Sequence, residues 1–520
     1  MTVPVPGRVT SSAVPSSEPR LPRPRQVPPR PLAELARWLG LPEPPGPAGL
    51  AVTGVTHASD QVRPGDLFAA LPGSRVHGAE YLPAAAAAGA AAVLTDPAGA
   101  PAAAAAGLPA LVLPDPRARL GPVAARVYGD PTGRLPVVGI TGTAGKTTTA
   151  YLVEAGLRAA GRRPALLSTV ETRLGGLVLD SVRTTPEATD LQALLAVAAE
   201  AGVDAVVMEV SSHALALDRV GGVRFAVGGW TSVGLDHLDF HADAEAYFAA
   251  KAKLFDGRCR VEVLNQDEPA LKPLFRPATV GYSAAGDPTA TWYATAVTGA
   301  GFGQRFTAHG PPGPVPAGVS LPGRHNVANA LLAIAGLVAV GVDPGTAAGG
   351  VAGCPGVPGR LERVGTGPVL GVVDYAHKPD SIAAVLAALR TVATGRDGRL
   401  ICLLGAGGER DAGKRPLMGA AAARGADLVI VTDDNPRRED PAAIRAQVLA
   451  GARQVTGAQV REVAGRRAAI GQAVGLARAG DVVAALGKGH ERGQEIAGRT
   501  EPFDDRTALA GALAAGAERR

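Results

Sequence analysis

"PVVGITGTAGKTTTAYLVEAGLRAAG", residues 136–161, joins an apolar run to a helical run through a glycine-rich loop. The apolar start reads as a strand buried on both faces. The run from Thr147 reads as a helix that Gly161 ends. Between them Gly139, Gly142 and Gly145 stand three residues apart, followed by Lys146 and Thr147. Backbone N–H groups of such a loop point at phosphate oxygens, and the helix N-terminus adds positive potential. Lys146 supplies a compact charge to terminal phosphates, and Thr147 a hydroxyl for Mg²⁺. Ile140 stands where the strict G-x-x-x-x-G-K-T pattern has its first glycine, so the spacing is G-x-x-G-x-x-G-K-T. The expected nucleotide contacts are Gly142, Thr143, Ala144, Gly145, Lys146, Thr147 and Thr148.

Outward from this loop the grammar stays α/β. "DAVVMEV" (204–210) and "FAVGGWT" (225–231) read as further buried strands, and "NVANALLAIAGLVAVG" (326–341) as a helix. Strands separated by helices predict a mostly parallel, doubly wound sheet. The stretch 286–320 is rich in Gly, Pro and Thr and reads as strands of open pairing. Before it, "GDLFAAL" (65–71), "AAVLT" (91–95) and "ALVLPD" (110–115) suggest a smaller α/β domain. After it, "GVVDYA" (371–376), "RLICLLGA" (399–406), "ADLVIVTDD" (426–434) and "DVVAALGKG" (481–489) each run from an apolar core into polar or small residues. Ligands in such sheets bind beyond the carboxyl ends of the strands. The expected organisation is a disordered Pro/Arg-rich tail (1–30), a small N-terminal α/β domain (31–135), a central ATPase-like domain (136–355) and a Rossmann-like C-terminal domain (356–520).

Bulk composition excludes several classes. A net charge of +5 over 520 residues, without a long basic run, gives no reason to propose nucleic acid. Cys259, Cys354 and Cys402 are scattered, which argues against a disulfide framework or a four-cysteine zinc site and fits a reducing cytoplasm. No apolar core follows the first 30 residues, so they are not a signal peptide. The Ala-rich stretch 84–90 is too short to span a membrane.

Lysine is scarce: only Lys146, Lys251, Lys253, Lys272, Lys378, Lys414 and Lys488 stand among 52 basic residues. Where arginine serves almost everywhere, a retained lysine marks chemistry that a guanidinium cannot do. "MEVSSHAL" (208–215) places Glu209 at a strand end, "GLDHLDFH" (234–241) packs two acids and two histidines into a loop, and "AYFAAK" (246–251) brings Lys251 on helical spacing. Mg²⁺ prefers oxygen ligands, so Glu209 qualifies directly; Asp236 and Asp239 are as good candidates as His237.

"GTAGKTTT", "MEVSSHAL", "DHLDFH" and "AYFAAK" together resemble the Mur ligase family of ATP-dependent amide-forming enzymes. The resemblance runs over residues 50–505 and implies magnesium held by Thr147, Glu209, His237 and Lys251, with Lys251 carbamylated to N6-carboxylysine. It implies Lys146, Lys251, His237 and Glu209 as the catalytic set. Asn326, in "PGRHNVANALLAI" (322–334), would contact adenine, and Arg360, in "GRLE" (359–362), would reach the ATP phosphates. "VTHASDQVRPGDLFAAL" (55–71) and "RTTPEATD" (183–190) are similar to the MurE branch. By that likeness Ser59, Thr184, Thr185, Ser211 and Arg219 contact a uridine-nucleotide substrate; Leu217 stands where some members carry Gln. In the third domain, "GAGGERDAGKRPLMG" (405–419), "TDDNPRRED" (432–440) and "GKGHERGQ" (487–494) imply diaminopimelate contacts from Arg410, Asp434, Asn435, Pro436, Arg437, Gly487 and Glu491. The residue chemistry agrees: Arg410 and Arg437 can hold carboxylates by paired N–H bonds, Asn435 offers donor and acceptor, and Glu491 can accept from an ammonium. The implied reaction adds diaminopimelate to the D-Glu side-chain carboxylate of UDP-MurNAc-L-Ala-D-Glu through an acyl phosphate, in the cytoplasm, by a monomer using ATP and Mg²⁺. The alternatives are the same chemistry with L-lysine, a folylpolyglutamate-type substrate, or a nucleotide-binding protein without chemistry.

Overall fold

The computed structural model of the protein describes residues 21–73, 75–311 and 313–518. It divides into two compact units. The first holds the chain up to 134 together with 186–201 and 216–223; the second holds 135–185, 202–215 and 224 onward.

In the first unit four short parallel strands stand in the order Gly54–Thr56, Asp66–Ala70, Ala92–Thr95 and Ala110–Val112. Leu67, Leu94 and Leu111 from one face meet Leu120, Val123 and Val127 of the helix Pro116–Val127. The same core takes Ala188, Ala193 and Ala196 of the helix Ala188–Glu200. Contacts thus group this helix with the first unit, although the chain places it within 136–355. The helix carries an apolar stripe, but a stripe does not say which core it joins. Gly121 lets the 216–223 loop approach: a Cβ there would lie 2.3 Å from the Gly221 carbonyl oxygen.

Of the tail expected over 1–30, residues 21–30 are described and make defined contacts; residues 1–20 lie outside the described residues. Arg23 donates two hydrogen bonds to Asp66, at 2.6 and 2.8 Å. The backbone N–H groups of Arg25 and Gln26 each donate to Glu200 at 2.9 Å. Such charge-assisted bonds to carboxylates hold the proline-rich segment up to the two-residue strand Arg30–Pro31, which pairs with Ala51–Val52.

The second unit contains an 11-stranded and a 6-stranded sheet. Seven neighbouring strands of the larger one are parallel, in the order Pro164–Leu167, Ala205–Glu209, Val137–Thr141, Phe225–Trp230, Cys259–Asn265, Val280–Ser283 and Trp292–Ala300. The 286–320 stretch resolves its open pairing as an antiparallel meander of Trp292–Ala300, Gly303–His309 and Val315–Val319. Register then places the site. Glu209 pairs with Ile140, and Trp230 with Thr141, so three carboxyl ends meet at the glycine loop. In the smaller sheet Asp374 and Leu404 both pair with Leu486, and Leu404 with Val431, so four strand ends form a second row. Its edge strand Gln459–Glu462 escaped the sequence reading because it is short, polar and mostly exposed.

Candidate active site

The loop after Val137–Thr141 keeps two glycines at positive φ for steric reasons. Gly142 has φ 135°, and a Cβ there would stand 1.9 Å from Thr231 Oγ1. Gly145 has φ 89° and lies against Asn329. Thr231 Oγ1 donates to the Ala144 carbonyl at 2.5 Å, and the Ala144 N–H donates to Ser232 Oγ at 3.0 Å. The helix Lys146–Ala159 begins at the loop's end with Thr147 and Thr148 buried in its first turn. Lys146 Nζ folds back to donate to the Gly142 carbonyl at 2.8 Å. Burial lowers its pKa to about 8, against the pull of Glu209.

A second amine shares that carbonyl. Lys251 is 2% exposed, donates to Gly142 O at 3.0 Å, and stands 4.3 Å from the centre of the Tyr247 ring. Burial first, then Lys146 and Lys378, push its pKa well below that of a free lysine. A cavity of about 240 Å³, walled by Trp230, Val233, Leu235, Tyr247 and Phe248, opens beside it.

Glu209 is fully buried. Its Oε1 accepts the Thr169 N–H at 2.7 Å, while Oε2 has no hydrogen-bond partner among the described residues. An orphaned buried carboxylate oxygen is costly unless something cationic meets it. With the Thr147 hydroxyl it offers hard oxygen donors of the kind Mg²⁺ takes. Among the described residues no cluster of three or more His, Cys, Asp or Glu side chains is gathered for a metal. The remaining ligands of such an ion would be phosphate oxygens, water, His237 and a modified Lys251.

The "DHLD" loop separates its candidates. His237 sits at φ 54°, 3.1 Å from Asp236 and edge-on to His213. Burial brings its pKa to about 4, so it is neutral and can offer a lone pair. Asp236 is taken up by Lys378, which outweighs burial and draws its pKa down to about 2. Asp239 is exposed. Asp236 is thus engaged by Lys378 and His237, while His237 and Asp239 both reach solvent.

Arg360 donates to Thr147 Oγ1 at 3.4 Å and lies over the Tyr375 ring, 4.5 Å from its centre. Asn326 is buried with both amide ends engaged: Nδ2 donates to Pro322 O at 2.7 Å and Oδ1 accepts from Asn329 at 3.1 Å. The sequence reading passed over Lys378 as an individual residue; its scarcity as a lysine was the available signal.

The strand ends of the smaller sheet gather the second set. Asp434, Asn435, Gly487 and Glu491 come together. Asn435 Nδ2 donates to Glu491 Oε2 at 2.8 Å, and a Cβ on Gly487 would fall 2.7 Å from Asp434 Oδ2. Pro436 packs its carbonyl against Gly408. Arg437, at φ 53°, donates to Gly408 O at 2.6 Å and pairs with Glu495. Arg410 is exposed on the 405–411 loop and bonds to none of these. Sequence reasoning missed Arg415 and Arg466 and gave Lys488 no role beyond its scarcity as a lysine; all three are buried cations that tie these loops down.

Thr184, Thr185 and Ser211 gather around Glu209 in the second unit. Thr185 Oγ1 donates to the Glu209 carbonyl at 2.9 Å and accepts the Ser211 N–H at 3.1 Å. Thr169 Oγ1 donates to Thr184 Oγ1 at 3.1 Å. Ser59, at the start of a short 3-10 turn, and Arg219, paired with Glu187 at 2.8 Å, belong to the first unit.

Comparison with known proteins agrees with this layout. Three family models match consecutive segments: "Mur ligase family, catalytic domain" at 51–128, "Mur ligase middle domain" at 140–337 and "Mur ligase, glutamate ligase domain" at 359–489. A Streptomyces coelicolor protein named UDP-N-acetylmuramoyl-L-alanyl-D-glutamate–2,6-diaminopimelate ligase is 54% identical, over 95% of this chain and 98% of its own. The chain belongs to the Mur ligase family. Another Mur ligase relative, from Leifsonia xyli and named UDP-N-acetylmuramyl-tripeptide synthetase, is 44% identical over 93% of this chain and 96% of its own. A solved UDP-N-acetylmuramoyl-L-alanyl-D-glutamate–2,6-diaminopimelate ligase superposes with a TM-score of 0.67 at 31% identity, over 93% of this chain and 99% of that one. The MurF ligase of Thermotoga maritima, solved with ADP, shares the fold at TM-score 0.60 and 18% identity, over 90% of this chain and 99% of that one. No helix among the described residues of this Mur ligase is long and apolar enough to cross a membrane.

Proposed function

We propose that this Mur ligase uses ATP to join diaminopimelate to the D-Glu side-chain carboxylate of UDP-MurNAc-L-Ala-D-Glu, a step in making peptidoglycan precursors. One observation carries the reading: Lys146 and Lys251 converge on the Gly142 carbonyl at the mouth of a phosphate loop whose neighbouring strand ends in the orphaned Glu209. The loop's N–H groups and Lys146 hold the β- and γ-phosphates, and Arg360 reaches them from beside Thr147. The substrate carboxylate attacks the γ-phosphorus, the bond to ADP breaks, and an acyl phosphate results. The diaminopimelate amine then attacks the acyl carbon, expels phosphate and loses a proton. Thr147, Glu209, His237 and a carbamylated Lys251 would hold Mg²⁺, which when bound neutralises charge on the transferring phosphoryl group.

Lys251 suits that modification. Its buried amine is held toward the neutral form, whose lone pair bonds the carbon of CO₂ as one N–H proton leaves, turning a cation into an anion with two hard oxygens. Thr184, Thr185, Ser211, Ser59 and Arg219 would bind the uridine-nucleotide substrate, and the strand ends around Asn435 the incoming amino acid. Three buried free cysteines fit a cytoplasmic setting.

The test is phosphate release with the uridine dipeptide substrate against meso-diaminopimelate, LL-diaminopimelate and L-lysine. Release that depends on both the dipeptide substrate and a diaminopimelate isomer is expected. Release with L-lysine alone overturns the choice of amino acid, and absence of carboxylate ¹⁸O in the released phosphate overturns the acyl phosphate.

A further inference from the structure

The seven lysines of the sequence contain one more with an unusual place. Lys488 is fully buried, on the turn after the strand Val482–Leu486. Its Nζ donates to Asn435 Oδ1 at 3.0 Å and to Glu491 Oε2 at 3.2 Å, and lies 3.7 Å from Asp434 Oδ1. A lysine ammonium has three donors and no acceptor, so each neighbour must turn an oxygen toward it.

That constraint propagates. Asn435 Oδ1 also accepts the Glu495 N–H at 3.0 Å, which fills both of its lone pairs. Turning the amide over would set its NH₂ against an ammonium and a backbone N–H, two donors with nothing to receive them. Nδ2 is therefore held toward Glu491 Oε2 at 2.8 Å, with its second N–H left over. Glu491 Oε2 is filled in turn by Lys488 and Asn435, leaving Oε1, and the Glu491 side chain is 34% exposed. The pocket thus presents one amide N–H beside one carboxylate oxygen. An N–H suits a carboxylate and a carboxylate oxygen suits an ammonium, so the pair fits a zwitterionic amino-acid end. L-lysine carries no such group at its distal end; diaminopimelate does.

We infer that Lys488 is the positioning residue that sets the polarity of this pocket, fixing Asn435 as a donor and Glu491 as an acceptor and so favouring diaminopimelate over L-lysine. The inference deepens the proposed function and rests on it. Without the ammonium, Asp434 and Glu491 both lose the cation beside them and keep only the Arg466 guanidinium, which is already paired with Asp505; the Asn435 amide can turn, and a ligand carboxylate meets more negative charge.

Steady-state kinetics of Lys488→Met, which keeps the apolar stem and removes the charge, tests it. The KM for diaminopimelate should rise at least tenfold and the preference over L-lysine should fall at least tenfold, with the KM for ATP within twofold of wild type. Asn435→Ala in the Lys488→Met background should add little to either single change, because the two act through one contact. Should Lys488→Met fail to fold, the near-isosteric Asn435→Asp replaces the free N–H by a carboxylate oxygen and should lose the same preference. Unchanged KM and preference in the variant that folds, or an equal rise in the KM for ATP, overturns the inference while diaminopimelate-dependent wild-type turnover keeps the function. Wild-type turnover with L-lysine and not with diaminopimelate overturns both.

Discussion

The phosphate loop and the proposed amino-acid pocket both sit at carboxyl ends of parallel strands, yet they are built by opposite means. The loop is one continuous stretch, 142–148, whose working groups are mostly backbone, and its neighbours bond to its carbonyls and N–H groups. The pocket is drawn from separate segments around 405–411, 432–437 and 487–491. Buried cations fasten them together: Arg415 ties Glu439 to Gly407 O, Arg466 ties the Asp433 and Leu486 carbonyls to Asp505, and Lys488 ties Asn435 to Glu491. The loop needs small residues to admit a phosphate. The pocket needs charges inside the protein to hold polar side chains at defined orientations.

The contrast makes the pocket more fragile toward loss of charge. Arg466 and Asp505 are both fully buried, so Arg466→Met leaves a carboxylate uncompensated and should cost about 3–5 kcal/mol, read by denaturant unfolding. Adding Asp505→Leu should recover part of the loss, and equal stability of single and double variants would break the comparison. Beside the loop, where Lys251 bonds to the Gly142 carbonyl, the largest effect should fall on turnover. Lys251→Arg keeps a cation but cannot form a carbamate, and should lower kcat by about 10²–10³ with ATP binding retained. Wild-type kcat in that variant would remove the carbamate from the account.

Gly142→Ala probes the loop's need for room. Strain at φ 135° and the contact with Thr231 should cost about 1–3 kcal/mol, and nucleotide affinity should fall, measurable by calorimetry. A protonation effect comes next. Burial lowers the pKa of His377 and of His490 from 6.5 to about 4. Between those values the unfolded chain binds more protons than the folded one, so stability should fall as pH drops from 6.5 toward 4. His377→Asn with His490→Gln should flatten that slope in thermal melts; an unchanged slope would mean these rings are not the source. The smallest change belongs to neither region: Arg126→Ala breaks a half-exposed pair with Glu34, 39% exposed on each side, and should shift stability by less than about 1 kcal/mol.

Where the sequence was legible, the reason is local. The loop, the helix after it and the strand ends at Glu209, Asp374, Leu404 and Leu486 follow from short-range patterning, because alternation of apolar runs with helical stretches leaves few topologies open. Glycine spacing and the scarcity of lysine pointed to Lys146 and Lys251 before any coordinate. The assignment of Ala188–Glu200 to the first unit was not legible, since an apolar stripe is silent about its partner. Nor were the Lys378–Asp236 pair and the donor role of Asn435, which depend on residues 142 and 53 positions away.

The chain's order of residues by itself determined the α/β class, the phosphate loop and which side chains carry reactive chemistry, because these depend on neighbours within a few residues. Only the tertiary structure decided which acid of the "DHLD" loop is spent on an ion pair, which way the Asn435 amide faces and which charges lie buried beneath the pocket. Those outcomes turn on desolvation and on the saturation of lone pairs, and both arise only when distant segments are packed against one another.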